Sequence, residues 1–216
     1  MSNNPGYPQS IRTLMEQLGK LPGVGARSAE RMAFDILKKS SAEALALAEA
    51  IRAVKENVRS CAICFNLTET DPCGICADPA RDQGLICVVE QPKDLLQLEA
   101  TGIYRGVYHV LLGRIAPLEG EHPDALTIPA LLERIKAAQT PSPGQTPVRE
   151  VILATNPTMD GDVTALYLQQ QLALLGVAVT RLARGLPAGA QIEYANKAIL
   201  ADALTGRTKV QSEPRP

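Results

Sequence analysis

Four of the five cysteines stand in two close pairs that could hold a metal ion. Each pair has the spacing C-x-x-C, eight residues separate the pairs, and the four are Cys61, Cys64, Cys73 and Cys76. Four thiolates in so short a segment suit tetrahedral Zn²⁺ and leave no position for a catalytic water. We therefore predict a structural zinc that replaces the core a segment of about 20 residues cannot build. Two disulfides are the alternative, which a reducing compartment disfavours.

A second group of residues has the composition of a site for the backbone of DNA. Gly23 and Gly25 lie in the segment Leu-Pro-Gly-Val-Gly between two helical patterns, where glycines allow a tight turn with exposed N–H groups. The next helix is predicted to begin near residue 26, so its unpaired N–H groups could bind a phosphate. An ordinary tight turn between helices is the alternative. The side chains beside the turn that could contact the same DNA strand are Lys20, Arg27, Ser28 and Arg31.

Three acidic residues follow apolar runs that are typical of buried strands. Glu90 follows one run, and Asp160 and Asp162 follow another. Because the carboxyl ends of parallel strands share one edge of a sheet, the three carboxylates could converge there and bind Mg²⁺. The alternative is an aspartate that caps a helix beginning near residue 163. No nucleophile is evident beside these acids, so we predict no catalytic residues.

The elements that position these residues are predicted from hydrophobic periodicity. Helical spacing precedes and follows the glycine turn, and Ser40 with Glu43 forms a capping-box pattern for a third helix, whose apolar stripe covers residues 47–58. After the cysteines, apolar runs alternate with helical segments, which predicts a mainly parallel βαβαβαβ sheet with right-handed crossovers. Residues 140–147 are predicted as a surface loop and the last ten as mobile. The predicted strands are 85–89, 107–112, 151–154 and 177–182, and the helices among and after them 94–99, 128–138, 163–175 and 195–204.

Charge is nearly balanced over the chain but unevenly distributed. The net charge is -1, from 22 Lys+Arg and 23 Asp+Glu, yet residues 1–60 carry 9 basic and 6 acidic side chains. A basic face is therefore expected in the N-terminal part. Aromatic residues make up 3%, which favours contact with the DNA backbone over stacking on unpaired bases. No apolar stretch approaches a membrane span and no secretory signal is visible, so the cytoplasm is the expected location and no membrane partner is expected.

The order of the three predicted sites is more specific than any one of them. The glycine turn with its flanks looks like a helix-hairpin-helix motif, and the acidic strand ends resemble the Toprim domain of topoisomerases, primases and certain nucleases. With the four-cysteine module between them, they resemble the bacterial recombination-mediator family RecR. Besides the cysteines, the resemblance rests on residues 21–31, 87–90, 111–118, 150–167 and 180–194. The implied fold is α/β and multidomain, with a helix-hairpin-helix region at 1–56, a zinc module at 57–80, a Toprim-like sheet at 81–184 and a C-terminal segment at 185–216.

The resemblance implies a non-enzymatic factor of recombinational DNA repair. Members of the family form a ring-shaped homotetramer around duplex DNA and work with RecO and RecF to load the recombinase RecA onto gapped DNA. In that family the hairpin contacts DNA and joins subunits, and the Toprim-like region bears the RecO contacts. Aspartates stand beside Gly161 where relatives often have glutamates, which strengthens the magnesium hypothesis. By this resemblance, the candidate DNA contacts are Lys20, Arg27 and Arg31, and the acidic positions are Glu90, Asp160 and Asp162.

Two other functions stay open at the level of the sequence. One is a Mg²⁺-dependent enzyme that cleaves or joins phosphodiester bonds through Glu90, Asp160 and Asp162. The other is a zinc-stabilised interaction module that binds no nucleic acid, which duplex affinity with a steep salt dependence would exclude. A ring would reconcile the net charge of -1 with DNA binding if the basic N-terminal parts line its hole.

Overall fold

The computed structural model describes residues 6–140 and 146–208, and these residues form two compact units. The first unit is Met1–Val58 and the second is Arg59–Pro216. The zinc segment and the sheet thus share one unit, while the division into four regions stays a prediction. No helix in the described ranges is long and apolar enough to cross a membrane. The predicted loop at 140–147 and the predicted mobile end lie largely outside the described residues.

The helices in the described part of the first unit, residues 6–58, are α1 (Gln9–Leu18), α2 (Ala26–Lys38) and α3 (Ser41–Asn57). Hydrophobic periodicity predicted all three. Buried Ala29 and Ala33 are small enough for α1 and α2 to pack closely as a hairpin. The predicted capping box of α3 is confirmed, because Ser40 N–H donates to the Glu43 carboxylate at 3.0 Å and Glu43 N–H donates to the Ser40 hydroxyl at 3.3 Å.

The second unit is built on a four-stranded parallel sheet with the order β4-β3-β5-β6. One apolar cluster lies between the sheet and the helices α6 and α7. A second cluster packs residues of the sheet together with residues of α5 and of the zinc segment. The predicted α/β fold is therefore confirmed. Its strands are β3 (Asp82–Val89), β4 (Gly106–Val110), β5 (Glu150–Ala154) and β6 (Ala178–Arg181), with a two-stranded antiparallel ribbon of β1 (Arg59–Ser60) and β2 (Leu67–Thr68) before them.

The helices of this unit confirm the predicted alternation with strands. They are α4 (Gly74–Ala77), α5 (Pro92–Glu99), α6 (Ile128–Gln139), α7 (Met159–Ala173) and α8 (Lys197–Thr205), and three short 3-10 turns occur at Pro117–Glu119, Pro123–Ala125 and Ile192–Tyr194. Strand β4 ends two residues before its predicted end, because Leu112 adopts a left-handed backbone with φ 62° and turns the chain out of the sheet.

Helix α7 begins four residues before the predicted start, and this changes the setting of both aspartates. Thr158 caps the helix, since its hydroxyl accepts a hydrogen bond from Gly161 N–H at 3.1 Å. The alternative of an aspartate that caps a helix near residue 163 is therefore wrong. Asp160 and Asp162 lie within the first turn, where a carboxylate is favourable beside the positive end of the helix dipole.

Candidate nucleic-acid interface and zinc site

The turn between α1 and α2 leaves the start of α2 free of side-chain capping. Gly23 has φ 78°, a conformation that only glycine adopts readily, and Val24 N–H closes the turn on Leu21 O at 3.1 Å. Gly25 is the N-cap of α2 and has extended backbone, φ -79° and ψ 169°. Because glycine has no side-chain acceptor, the first N–H groups of α2 have no cap and can bind an anion.

The basic side chains around this turn are exposed and have no carboxylate partner among the residues that the structure describes. We call Lys20, Arg27 and Arg31 the hairpin cations. None of the three forms an ion pair within residues 6–140 and 146–208, and Lys20 only donates to the Gln17 amide oxygen at 3.2 Å. Ser28 is half-buried on the first turn of α2. The structure therefore places every predicted DNA-binding residue in the turn or in the helix that follows it, with the charges unneutralised.

The four cysteines of the two C-x-x-C pairs come together in one cluster. The four sulfur atoms all lie within 4.8 Å of one another, and three of the four residues are buried. Backbone N–H groups help to hold the cluster, since Cys73 N–H donates to the Cys61 sulfur at 3.3 Å and Phe65 N–H to Cys61 O at 2.9 Å. A hydrogen bond from the Cys76 thiol lowers the pKa of the Cys64 thiol to about 5, and the same contact raises the pKa of Cys76. The donor set fits a closed tetrahedral zinc site.

The zinc segment packs on β4, the strand at one edge of the sheet. Val110 N–H donates to Cys64 O at 2.8 Å, and the Phe65 ring lies 5.3 Å from the His109 ring, centroid to centroid. Phe65 has φ 62°, which turns the chain back between the two cysteine pairs. Phe65 and Ile75 join the apolar cluster on β3 and β4. The zinc site thus contributes to the core of the sheet as well as to its own segment.

Glu90 has a structural partner at the end of β3. Its side chain is 5% exposed, and its two carboxylate oxygens accept hydrogen bonds from Asn156 N–H and from the Asn156 side-chain amide, both at 2.7 Å. This pair ties the end of β3 to the loop after β5. Gly161 completes the packing, because a Cβ there would lie 2.1 Å from Asn156 O. Glu90 is therefore occupied in positioning the loop that leads into α7.

The two aspartates are held by arginines that follow or end the strands β4 and β6. We call Arg114, Arg181 and Arg184 the strand-end arginines. Arg114 Nε donates to Asp160 at 3.0 Å, and Arg181 and Arg184 both contact the Asp162 carboxylate. The hydrogen bond from Arg184, with a further one from Arg181, holds the pKa of Asp162 at about 2. The Asp162 carboxylate is thus ionised, and the two guanidinium groups beside it balance its negative charge.

The structure does not assemble the predicted magnesium site from these acids. Glu90 and Asp160 line an open groove of about 830 Å³ with Lys93 and Arg114, whereas Asp162 lines a different depression, beside Arg181. In the part of the chain that the structure describes, the four cysteines are the only group of three or more acidic, His or Cys side chains close enough to share an ion. The magnesium site stays a prediction, and the arginine pairs disfavour it.

Sequence reasoning missed the strand-end arginines and Asn156. A signal for them exists, since all follow or end strands of a parallel sheet, as the acids do. The rule that brought the acids to one edge therefore applies equally to the neighbouring cations. This rule does not predict which arginine pairs with which aspartate. Arg114 and Asp160, for example, are 46 residues apart in the chain and meet only through the strand order.

Comparison with known proteins defines the class of this molecule. Family models match three successive stretches: the helix-hairpin-helix of RecR over residues 11–55, the four-cysteine zinc finger domain of RecR over residues 58–78 and a Toprim domain over residues 84–183. A helix-hairpin-helix, a four-cysteine zinc finger and a Toprim domain in this order define a DNA-recombination protein. The predicted structural zinc is confirmed by the zinc finger match together with the cysteine cluster.

Full-length relatives identify the family. The chain is 53% identical to the recombination protein RecR of Rhodopirellula baltica over 205 residues, which cover 95% of this chain and 99% of the relative. It is 49% identical to RecR of Roseiflexus sp. over 203 residues, 94% of this chain and 95% of the relative. Identity to RecR of Rubrobacter xylanophilus is 48% over 204 residues, 94% and 98% of the two chains. The chain belongs to the RecR family of recombination proteins.

Proposed function

We propose that this protein is a recombination mediator that holds duplex and gapped DNA through the α1–α2 hairpin and has no catalytic residues. The observation that carries the proposal is the combination of an uncapped helix start with three exposed cations that lack carboxylate partners among the described residues. Phosphate oxygens would accept hydrogen bonds from the first N–H groups of α2 and from Lys20, Arg27, Ser28 and Arg31. These contacts involve no base edge, so binding is independent of sequence.

Gly25 supports this proposal in a way that is separate from charge. Its backbone is extended, so the fold itself does not require glycine there, and a Cβ would meet nothing within 4 Å. A glycine that neither the backbone angle nor internal packing demands is consistent with the close approach of an external group. The phosphate backbone of DNA is such a group, and it would approach the uncapped N–H groups directly.

We further propose that the chain acts as a homotetrameric ring. Helix α3 has no buried residue, and the predicted stripe is exposed, with Leu47, Ile51 and Val54 at 47%, 61% and 58% exposure. Apolar side chains at helical spacing that no described residue of their own chain covers favour burial against a second copy. Closed symmetry would repeat the basic N-terminal part around the duplex, which lets a protomer of net charge -1 bind DNA.

Partnership with RecO and RecF, and loading of RecA onto gapped DNA, are proposed from membership of the family. A surface suited to a protein partner lies beside the Arg114–Asp160 pair. Leu118, which precedes the Glu119 partner of Arg114, is fully exposed, and Met159, which precedes Asp160, is 83% exposed. Exposed apolar side chains around a neutralised ion pair fit a protein surface better than a polyanion. We assign this surface to RecO.

The experiment that tests DNA binding compares two triple charge reversals in the full-length chain. The first changes Lys20, Arg27 and Arg31 to Glu. The control changes Lys38, Lys39 and Arg52 to Glu, which alters the net charge equally within the same unit. We expect the first variant to lose duplex binding and the control to retain most of it, with the zinc content of both unchanged. Equal binding by both variants would refute the hairpin as the DNA site.

A Toprim-type phosphodiesterase is the second candidate, since the Toprim family model matches residues 84–183. Incubation of labelled gapped and supercoiled DNA with the protein and Mg²⁺ separates the two functions. Cleavage or joining that Asp160→Asn abolishes would establish the enzyme. We expect the DNA to remain unchanged, because Asp160 and Asp162 are neutralised by arginines.

A further inference from the structure

The outer edge of β4 carries backbone groups that β3 cannot satisfy. Leu111 N–H donates to Val89 O on β3 at 2.8 Å, so the N–H of the preceding residue, Val110, points away from the sheet. In an extended strand, the carbonyl of Tyr108 points to the same outer side as Val110 N–H. Both residues are fully buried. These two groups therefore need partners from outside the sheet, or the edge would carry unsatisfied polar groups.

Two residues that are far apart in the chain supply the missing partners. Cys64 O accepts the hydrogen bond from Val110 N–H at 2.8 Å, and Arg134 Nη1 of α6 donates to Tyr108 O at 2.8 Å. In a parallel ladder, a single residue of an added strand would make both bonds, accepting one with its carbonyl and donating the other with its N–H. Here a cysteine of the zinc site makes the first bond and a guanidinium makes the second.

Arg134 lies beside the zinc site, because its guanidinium and the Cys64 carbonyl bind backbone groups only two residues apart on the same edge of β4. Its side chain is half-buried, and burial lowers the pKa of the guanidinium. No carboxylate forms an ion pair with Arg134 within residues 6–140 and 146–208. Four thiolates around one Zn²⁺ leave a net negative charge, and a half-buried charge is costly unless an opposite charge lies near.

We propose that Arg134 is a positioning residue of the zinc site, which neutralises the zinc–thiolate cluster and, together with Cys64, completes the open edge of β4. Zinc occupancy and closure of this edge are then one cooperative event. Loss of zinc would free the Cys64 carbonyl and expose Val110 N–H, while loss of Arg134 would weaken the hold on zinc. The family's zinc finger thereby extends to a residue of α6 that lies 58 positions after its last cysteine.

The test compares zinc affinity in variants of one helix. Arg134→Met removes the charge and the donor at similar volume, and Lys136→Met removes a charge two positions along α6, where the side chain is exposed and paired only with Glu133 among the described residues. Competition against a chromogenic chelator measures the affinity of the reduced, full-length protein for zinc. We expect Arg134→Met to lose roughly 10- to 100-fold, as for other residues that support metal ligands, and Lys136→Met to match the unmodified chain.

A conservative variant and an exchange measurement keep the proposal testable if Arg134→Met does not fold. Arg134→Lys keeps the charge, so a smaller loss of zinc affinity than in Arg134→Met is expected. In the unmodified chain, removal of zinc should accelerate hydrogen exchange at the Val110 amide much more than at the Leu111 amide, whose acceptor lies within the sheet. Zinc affinity that is equal in Arg134→Met and Lys136→Met, or Val110 exchange that does not respond to zinc, would overturn the proposal.

Discussion

The hairpin cations and the strand-end arginines carry equal formal charge but stand in opposite surroundings. Lys20, Arg27 and Arg31 are exposed and make no ion pair among the described residues, whereas each strand-end arginine contacts an aspartate. A guanidinium that is already paired must give up its carboxylate before it can hold a phosphate. The difference favours the hairpin as the place where a polyanion binds, because free charge attracts a polyanion more strongly than paired charge does.

The strand-end pairs are better understood as neutralising devices than as sources of stability. The carboxylates of Asp160 and Asp162 are 40% and 46% exposed, and ion pairs at such exposure contribute about 0–1 kcal/mol to folding. The pairs balance the negative charge of Asp160 and Asp162 at the carboxyl ends of the strands in the Toprim domain. An edge with cancelled charge neither attracts a divalent cation strongly nor repels a protein surface.

The largest effect on DNA binding is expected when hairpin cations are removed, and removal of strand-end arginines is the control. Arg27→Ala with Arg31→Ala should weaken duplex binding at least about tenfold at low salt, and should flatten the salt dependence by about 0.9 for each phosphate that the variant no longer neutralises. Arg181→Ala with Arg184→Ala should leave both quantities nearly unchanged. Fluorescence anisotropy between about 50 and 200 mM salt measures them. An equally flattened salt dependence in both double variants would contradict the comparison.

A smaller effect is expected from Gly25→Ser, in which stability and DNA affinity should change in opposite directions. A serine at the N-cap accepts a hydrogen bond from the first turn of α2, which should stabilise the first unit by a few tenths of a kcal/mol. The same bond takes up an N–H group that a phosphate would use, so duplex affinity should fall about two- to tenfold. Thermal unfolding and anisotropy measure the two changes. A gain in both would show that phosphate does not use the helix start.

The smallest effect should come from freeing paired arginines. Asp162→Asn leaves Arg181 and Arg184 without their carboxylate, so duplex affinity should rise about two- to threefold at low salt and lose this gain at high salt. Asp124→Asn is the matched control, because it removes the same charge from a side chain that makes no ion pair among the described residues. Equal affinity in the two variants would show that pairing is not what keeps the sheet edge from DNA.

Local patterns predicted the elements and the zinc site, because each depends on residues close together in the chain. Cysteine spacing alone specified the zinc ligands, and periodicity located every strand of the four-stranded sheet. The start of α7 was missed, since threonine and aspartate are both good caps, and in the structure it is the Thr158 hydroxyl that accepts the hydrogen bond from Gly161 N–H. The partners of Asp160 and Asp162 were missed because they depend on strand order, which no local pattern contains.

The apolar stripe of α3 shows a different limit of sequence reasoning. Its spacing predicts a helix with a side to be buried, and the helix is present, yet the stripe is exposed in the chain. Periodicity indicates that a surface needs a partner but does not identify whether the partner is the same chain or another copy. Sedimentation of the full-length protein with and without duplex DNA would settle that assignment.

The Glu90–Asn156 contact has a consequence for how ancestry is inferred from motifs. A glutamate that anchors a loop by two hydrogen bonds would be retained by selection for folding alone, even in a lineage that never turns over a substrate. Inherited enzyme signatures can therefore outlive the reaction for which they arose. Searches that infer turnover from such a signature should ask first whether the carboxylate still has a free oxygen.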